Sequence, residues 1–213
     1  MDLASIWLVI EVAATVAFAI SGLTAAVRQH MDVVGVFSVA FVSAFGGGTL
    51  RDVLLDRRPF FWVEHQEYVW LVAAMTLAAP LVLRAVRHQL VDNVTEVADA
   101  FGLGLFAISG ASLAMVAGMP AIVSVLLGAV TAVSGGVLRD VLCNEIPKVF
   151  HDHRPYTLCA FVGCAIFLGL NALGAAPELS TTAGVVSTTG LRLFAVWTGW
   201  RIPAWPRQER SGD

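Results

Sequence analysis

Long apolar stretches, separated by short polar connections, fill almost the whole chain. An α-helix needs about 20 apolar residues to cross a bilayer, and each stretch is close to that length. Charges, glycines and prolines mark the ends of the stretches. The pattern therefore predicts seven transmembrane helices, at residues 4–27, 33–56, 68–86, 94–116, 120–143, 156–174 and 181–200.

The composition supports this prediction and excludes other classes of protein. Hydrophobic residues make up 57% of the 213 residues and charged residues 14%, with a mean hydropathy of +0.77. A soluble domain needs more polar surface than this. The net charge of −3 and the scattered basic residues exclude nucleic acid as a partner. We therefore expect an all-α integral membrane protein that spans the lipid bilayer.

The basic residues of the connections are distributed unevenly between the two sides of the membrane. One side has only Arg57 and Arg58. The other side has eight basic residues: Arg28, Arg84, Arg87, Lys148, Arg154, Arg201, Arg207 and Arg210. The positive-inside rule then predicts an N-terminus outside and a C-terminus in the cytoplasm. The expected location is the inner (plasma) membrane. The tail, residues 201–213, is expected to be cytoplasmic and disordered.

The chain repeats itself at an offset of 88 positions. Phe-Ala-Ile-Ser-Gly occurs at 18–22 and again at 106–110, and Gly-Gly-x-Leu-Arg-Asp-Val-Leu occurs at 47–54 and again at 135–142. Without a gap, residues 11–68 and 99–156 share 19 identities in 58 positions. This similarity indicates an internal duplication.

Each duplicated unit holds three predicted helices, and an odd number forces the two units into opposite orientations. The predicted organisation is a first repeat (1–87), a second, inverted repeat (93–175), a seventh helix (181–200) and the tail. In folds of this kind the transport site lies near the midplane, between the repeats, where helices are interrupted.

Glycine clusters stand at equivalent places in the second and fifth predicted helices. A glycine costs about 1 kcal/mol of helix propensity relative to alanine, so such a cluster marks a kink, an unwound turn or a close backbone approach. Close packing of neighbouring helices is the alternative interpretation. The residues concerned are Gly46, Gly47, Gly48, Ser134, Gly135 and Gly136.

An Arg-Asp dipeptide follows each glycine cluster, Arg51-Asp52 in one repeat and Arg139-Asp140 in the other. A charge at the bilayer centre costs about 2.5–3.5 kcal/mol, so these side chains need a partner, a cavity or the interface. Consecutive helical positions point in different directions. We therefore expect one member of each pair to bond freed carbonyls or a carboxylate of the other repeat, and the other to face a wet passage. Snorkelling of the arginines to the interface is the alternative.

Three further charges lie inside predicted helices. Glu11 and Asp99 occupy equivalent positions in the two repeats and are candidates for cation attraction, a proton relay or pairing with the arginines. Asp99 alternatively lies in the solvated interface. Arg192 in the seventh helix has no equivalent and is a candidate partner for one of these carboxylates.

Other chemistry finds little support in the sequence. His151-Asp152-His153 lacks the third ligand and the helical spacing of a metal site, so we predict a solvated loop, no bound metal and no cofactor. Phosphate-binding, serine-hydrolase and zinc-protease motifs are missing, and we predict that the chain is not an enzyme. The three cysteines are expected to be unpaired packing residues.

The paired Gly-Gly-x-x-Arg-Asp and Phe-Ala-Ile-Ser-Gly segments and the 3+3+1 layout resemble the bacterial branch of the TRIC (trimeric intracellular cation) channel family. The resemblance implies a homotrimer with a monovalent-cation pore, for potassium, inside each subunit, lined by kinked second and fifth helices. It implies that the two glycine clusters are the kinks. The Arg-Asp dipeptides would be the polar groups beside them.

Two other functions remain open at this point. The same bacterial group includes proteins that resemble glycine transporters, and inverted repeats are a common transporter plan, so a small amino-acid carrier is the alternative. A scaffold without transport would leave two symmetric sets of intramembrane polar residues unexplained. Potassium flux through liposomes would favour the channel, and saturable glycine exchange the carrier.

Overall fold

The computed structural model describes the backbone of residues 3–83, 88–151 and 154–203, and the side chains of residues 7–80, 93–150 and 154–203. This part of the chain consists of helices joined by short connections. The helices are α1 (Leu3–Arg28), α2 (Val33–Leu54), α3 (Phe61–Glu64), α4 (Gln66–Leu83), α5 (His88–Val116), α6 (Ala121–Leu142), α7 (Lys148–His151), α8 (Thr157–Ala172) and α9 (Pro177–Thr198).

Seven of these helices lie at the seven predicted ranges: α1, α2, α4, α5, α6, α8 and α9. The largest difference is at α5, which begins at His88 and not at residue 94. The helix extends there because a polar segment continues it beyond its apolar part. Arg84, Arg87, Asp152, His153, Arg207, Arg210 and residues 204–213 of the tail lie outside the described residues.

Length and composition identify four of the described helices as able to cross a bilayer. They are α1, α2, α5 and α6, over residues 7–28, 33–54, 93–116 and 121–142. The apolar helix α8 has only 16 residues, and α9 carries several serines and threonines. The chain is an all-α, multi-pass membrane protein, while the count of seven spanning helices stays a prediction.

The single-turn helices α3 and α7 are not predicted from the sequence, since one turn is too short to show a periodicity. Each follows the proline of its repeat, Pro59 or Pro147. Each is also held by an aspartate from the preceding long helix. Oδ2 of Asp52 accepts from the backbone N–H of Phe61, and Oδ2 of Asp140 from that of Lys148, both at 2.9 Å.

The internal duplication extends to the way α2 and α6 end. Asp56 and Asn144, which are 88 positions apart, both adopt left-handed φ values, of 51° and 56°. Asp and Asn tolerate this conformation better than other residues with a side chain. The chain turns back at the same place in both repeats, so the aspartate carboxylates meet the single-turn helices in the same way.

The long helices pack around a centre of small and aromatic side chains. α1 contacts α2 and α5, α5 contacts α6 and α9, and α2 contacts α6. Phe18 of α1 stacks on its repeat equivalent, Phe106 of α5, with ring centroids 5.6 Å apart. The three cysteines are buried and unpaired, as predicted: Cys143, Cys159 and Cys164. This packing brings the polar residues of α1, α2, α5 and α6 together.

Candidate functional site

Arg51 of α2 is buried in a cluster that contains polar groups from three helices. Its Nε donates to Oδ1 of Asp52 at 2.9 Å, and its Nη2 lies 2.8 Å from the same oxygen. Its Nη1 lies 3.5 Å from Oε1 of Glu11 in α1 and donates to Oγ of Ser109 in α5 at 3.1 Å. The guanidinium also lies 5.3 Å from the centre of the Phe61 ring. We call these residues the first cluster.

The second cluster repeats this arrangement around Arg139 of α6. The Nε of Arg139 donates to Oδ1 of Asp140 at 2.9 Å, and its Nη2 lies 2.7 Å from that oxygen. Its Nη1 lies 2.5 Å from Oδ1 of Asp99 in α5 and donates to Oγ of Ser21 in α1. Arg51 and Arg139 are the two largest of the fully buried side chains.

The two clusters are linked through serines of the opposite repeats. Ser21 belongs to the first repeat but contacts Arg139, while Ser109 belongs to the second repeat but contacts Arg51. Both serines come from the duplicated Phe-Ala-Ile-Ser-Gly segment. The serines were not predicted as site residues, although the duplication already marked their segment. They form hydrogen bonds between the repeats, as do Thr95 with Thr24 and Gln29 with Glu145.

The predicted separation of each Arg from the following Asp is wrong. Arg51 pairs with Asp52, and Arg139 with Asp140, because the long arginine side chain folds back over its neighbour. The second carboxylate on each arginine comes from its own repeat and not from the other one. All four side chains of the dipeptides are buried, so neither arginine snorkels to an interface and neither aspartate faces a wet passage in this structure.

Asp99 has more partners than its repeat equivalent, Glu11. The hydroxyl of Tyr156 donates to Oδ2 of Asp99 at 2.7 Å, and the guanidinium of Arg192 lies 4.6 Å from the centre of the Tyr156 ring. The alternative of a solvated Asp99 is therefore wrong, since this carboxylate is buried and paired. The guanidinium of Arg192 therefore lies beside the second cluster, where its predicted role as a partner of one of the carboxylates would place it.

Helical structure continues through both glycine clusters. α2 and α6 are uninterrupted α-helices over residues 33–54 and 121–142, so the interpretation of the clusters as unwound turns is wrong. The glycines instead allow a close approach of the two helices. A Cβ atom on Gly47 would collide with the carbonyl oxygen of Thr131, and one on Gly135 would lie 2.5 Å from that of Ser43.

The remaining cluster residues also serve packing. A Cβ atom on Gly46 would lie 2.6 Å from Leu138 of α6, one on Gly48 would collide with the Phe61 ring, and one on Gly136 would lie 3.0 Å from the Tyr156 hydroxyl. Ser134 behaves differently, because its hydroxyl donates to the carbonyl of Val130 in its own helix at 2.6 Å. Close packing of neighbouring helices, the alternative interpretation, accounts for the glycines. A bend of the helix axes stays a prediction.

Metal chemistry finds no support within the described part of the chain. No group of three His, Cys, Asp or Glu side chains is placed there to hold a metal ion. The polar groups of the two clusters instead satisfy one another by ion pairs and hydrogen bonds. This arrangement can hold helices together and can interact with a small ion.

Comparison with known proteins gives a consistent result. The family model described as "Glycine transporter" matches the chain twice, at residues 8–84 and 96–172, which are the two repeats. The chain is 34% identical to a UPF0126 membrane protein of Vibrio cholerae over 90% of this chain and 80% of that protein. It is 33% identical to the UPF0126 inner membrane protein YadS of Escherichia coli over 96% and 98% of the two chains.

Solved structures agree with these relatives. The TRIC trimeric intracellular cation channel orthologue from Rhodobacter sphaeroides matches with a TM-score of 0.86 and 31% identity, over 92% of this chain and 100% of that one. A TRIC cation channel from a structural study of conductance matches with a TM-score of 0.82 and 33% identity, over 94% and 97%. The duplicated sequence, the fold and these similarities together show that the chain belongs to the prokaryotic TRIC channel family, a family of membrane channels and not of enzymes.

Proposed function

We propose that the protein conducts monovalent cations, potassium in particular, through a path inside each subunit. The observation that carries this proposal is the similarity to TRIC cation channels at 31–33% identity over more than nine-tenths of the chain. The internal geometry supports it, because two buried ionic clusters flank the contact between α2 and α6. We place the path along this contact, between the repeats.

The contact between α2 and α6 is closed in this structure. Gly47 lies against the backbone of Thr131, and Gly135 against that of Ser43, which leaves no room for an ion at these two points. Conduction therefore requires the helices to separate there. We propose that Arg51 and Arg139 hold the closed arrangement through the serines of the opposite repeats, and that the glycines form the surface that opens.

The proposed topology is an inverted repeat with the N-terminus outside and the C-terminus in the cytoplasm. The distribution of basic residues carries the orientation. The reciprocal contacts support the symmetry between the repeats, because Gly47 meets Thr131 as its equivalent Gly135 meets Ser43, the equivalent of Thr131. A two-fold axis between the repeats produces such reciprocity. An inner-membrane location is proposed by similarity to YadS, which is an inner membrane protein.

A homotrimer is the proposed assembly, by similarity to the trimeric channel from Rhodobacter sphaeroides. Small apolar side chains support it, since Ala13, Ala17 and Ala98 line an open apolar groove of about 550 Å³ between α1 and α5. Small residues let helices of different subunits approach closely. In mild detergent, light scattering is expected to give about three times the chain mass of 22.6 kDa. A monomer mass would contradict the assembly.

Glycine transport is the second candidate function, and the description of the matching family model favours it. An inverted repeat that opens alternately to either side would also need α2 and α6 to move apart. A carrier differs from a channel in that its path is never open to both sides at once. The two candidates therefore predict different transport rates and different saturation.

Flux through proteoliposomes separates the two candidates. Vesicles loaded with KCl are diluted into N-methyl-glucamine chloride, and potassium efflux is followed by a proton-coupled fluorescent dye. We expect rapid, non-saturating efflux that protein-free vesicles lack, and no exchange of radiolabelled glycine. Saturable glycine exchange without potassium efflux would establish the carrier and contradict the channel.

A further inference from the structure

The ionisable side chains of the two clusters do not balance in charge. The first cluster holds one guanidinium, that of Arg51, and two carboxylates, those of Asp52 and Glu11. The second cluster likewise holds one guanidinium and two carboxylates. Each set therefore carries one excess negative charge. Such a charge is costly away from water, which favours a positive group beside each cluster.

The second cluster obtains its additional positive charge from α9. The guanidinium of Arg192 lies over the Tyr156 ring at 4.6 Å, and Tyr156 donates its hydroxyl proton to Asp99. With Arg192 included, positive and negative charges are equal in this cluster. The side chain of Asp99 is accordingly buried, with 7% of its surface exposed.

The first cluster has no such addition, because α9 lies outside the duplication and has no equivalent in the first repeat. Among the described side chains, Arg51 is the only cation that pairs with Glu11, and it does so at 3.5 Å, against 2.5 Å for Arg139 and Asp99. The side chain of Glu11 is 15% exposed. The carboxylate of Glu11 thus lies at the edge of the first cluster, and its negative charge is only partly compensated.

Tyr68 provides a second, independent indication. It is the repeat equivalent of Tyr156 and is 3% exposed, yet its buried hydroxyl has no hydrogen-bond partner among the described residues. A buried hydroxyl without a partner costs about 1–3 kcal/mol. Glu11 and Tyr68 are the repeat equivalents of Asp99 and Tyr156, whose side chains share a hydrogen bond, and α1 contacts α4. The duplication therefore indicates that the Tyr68 hydroxyl faces the under-compensated carboxylate, where it is available to a ligand.

We propose that the carboxylate of Glu11 and the hydroxyl of Tyr68 form a binding site for a monovalent cation such as K⁺. A single positive charge balances the first cluster as Arg192 balances the second. Oxygen atoms of these two types replace part of the hydration shell of such an ion. A divalent ion would leave an excess positive charge, and Ca²⁺ needs about six to eight oxygen ligands.

The neighbouring charges outside this site do not supply the missing positive charge. The His65 ring stacks on Tyr68 with centroids 5.2 Å apart, but its Nδ1 lies 3.0 Å from Oε1 of Glu67. Any positive charge on the imidazole is therefore balanced by an exposed carboxylate. Glu64 is a matched control, because it is an exposed glutamate of the same repeat that pairs with Arg57 outside the cluster.

The test is the stability of the purified full-length protein in detergent as a function of K⁺. KCl replaces N-methyl-glucamine chloride at constant ionic strength, and thermal unfolding is followed by tryptophan fluorescence. We expect K⁺ to raise the melting temperature of the parent protein and of Glu64→Gln. Glu11→Gln should lose this dependence, and without K⁺ it should be at least as stable as the parent, because the excess charge is gone.

Tyr68→Phe keeps the charge and removes one oxygen ligand. We expect it to retain the dependence on K⁺ but to need several-fold more of the ion for half the effect, because one of the oxygen ligands is lost. Equal K⁺ effects in the parent and Glu11→Gln would overturn the proposal. So would a parent that K⁺ does not stabilise beyond N-methyl-glucamine, or one that Ca²⁺ stabilises as strongly.

The choice of a monovalent cation as the ligand rests on the proposed function. The charge imbalance of the first cluster does not depend on that function. The melting experiment measures binding without flux, so the two proposals can fail separately. Potassium efflux from proteoliposomes with no K⁺-dependent stability would contradict the site alone. K⁺-dependent stability that is lost in Glu11→Gln, together with absent efflux, would contradict the channel alone.

Discussion

Replacing Gly47 or Gly135 with alanine is expected to destabilise the protein severely, by about 3 kcal/mol in the free energy of unfolding. The Cβ atom of an alanine at Gly47 would collide with the carbonyl oxygen of Thr131. At Gly135 it would lie 2.5 Å from the carbonyl oxygen of Ser43. Backbone atoms cannot turn away as a side chain can, so α2 and α6 must move apart. Thermal unfolding in detergent measures the loss.

Gly169→Ala in α8 is the matched control for this prediction. No heavy atom lies within 4 Å of the position of a Cβ on Gly169. Alanine is the better helix former by up to about 1 kcal/mol, so this variant should be as stable as the parent or slightly more stable. If Gly47→Ala and Gly169→Ala melt at the same temperature, the close approach of α2 and α6 is not what the first glycine provides.

Arg139→Gln is expected to have an effect of similar or greater size. The substitution leaves the carboxylates of Asp99 and Asp140 buried without the guanidinium that lies 2.5 and 2.7 Å from them. Removing one partner of a buried ion pair costs about 3–5 kcal/mol, because the remaining charge is uncompensated. We expect a large loss of thermal stability and of correctly assembled protein, measured by unfolding and by light scattering in detergent.

An exposed arginine provides the comparison for Arg139. Arg57 lies 3.9 Å from Glu64, with side chains 40% and 52% exposed, and a surface pair of this kind contributes about 0–1 kcal/mol. Arg57→Gln should therefore leave stability nearly unchanged. Adding Asp99→Asn to Arg139→Gln should recover part of the loss, because it removes one of the two stranded charges. Equal stabilities of Arg57→Gln and Arg139→Gln would disprove the buried network.

The positions of the long helices follow from the sequence because apolar length is a strong signal in a membrane protein. The ends of α2 and α6, at Leu54 and Leu142, lie within two residues of the predicted ends. The internal duplication was equally plain from the 88-residue offset. The single-turn helices were not, because they depend on Asp52 and Asp140, which cap them from a different part of the chain.

The charged residues of the site were predictable, but their pairing and the two serines between them were not. Helical geometry gives the direction in which a side chain leaves the backbone, and this argument failed for Arg51, whose length lets it reach the adjacent Asp52. Propensity alone predicts that a glycine cluster weakens a helix. It cannot show that Gly47 meets a second backbone, which comes from a helix more than 60 residues away in the chain and supplies the packing that keeps α2 intact.

Recording from the purified protein in a planar bilayer tests the central claim, cation conduction, most directly. With a KCl gradient across the bilayer, a cation-selective channel gives unitary current steps that reverse near the equilibrium potential of K⁺. We predict this reversal. When K⁺ is replaced by another small monovalent cation, we predict that the reversal potential stays closer to the equilibrium potential of the cation than to that of Cl⁻. Absence of unitary steps with protein that is folded and assembled in detergent would contradict the account. So would reversal near the equilibrium potential of Cl⁻.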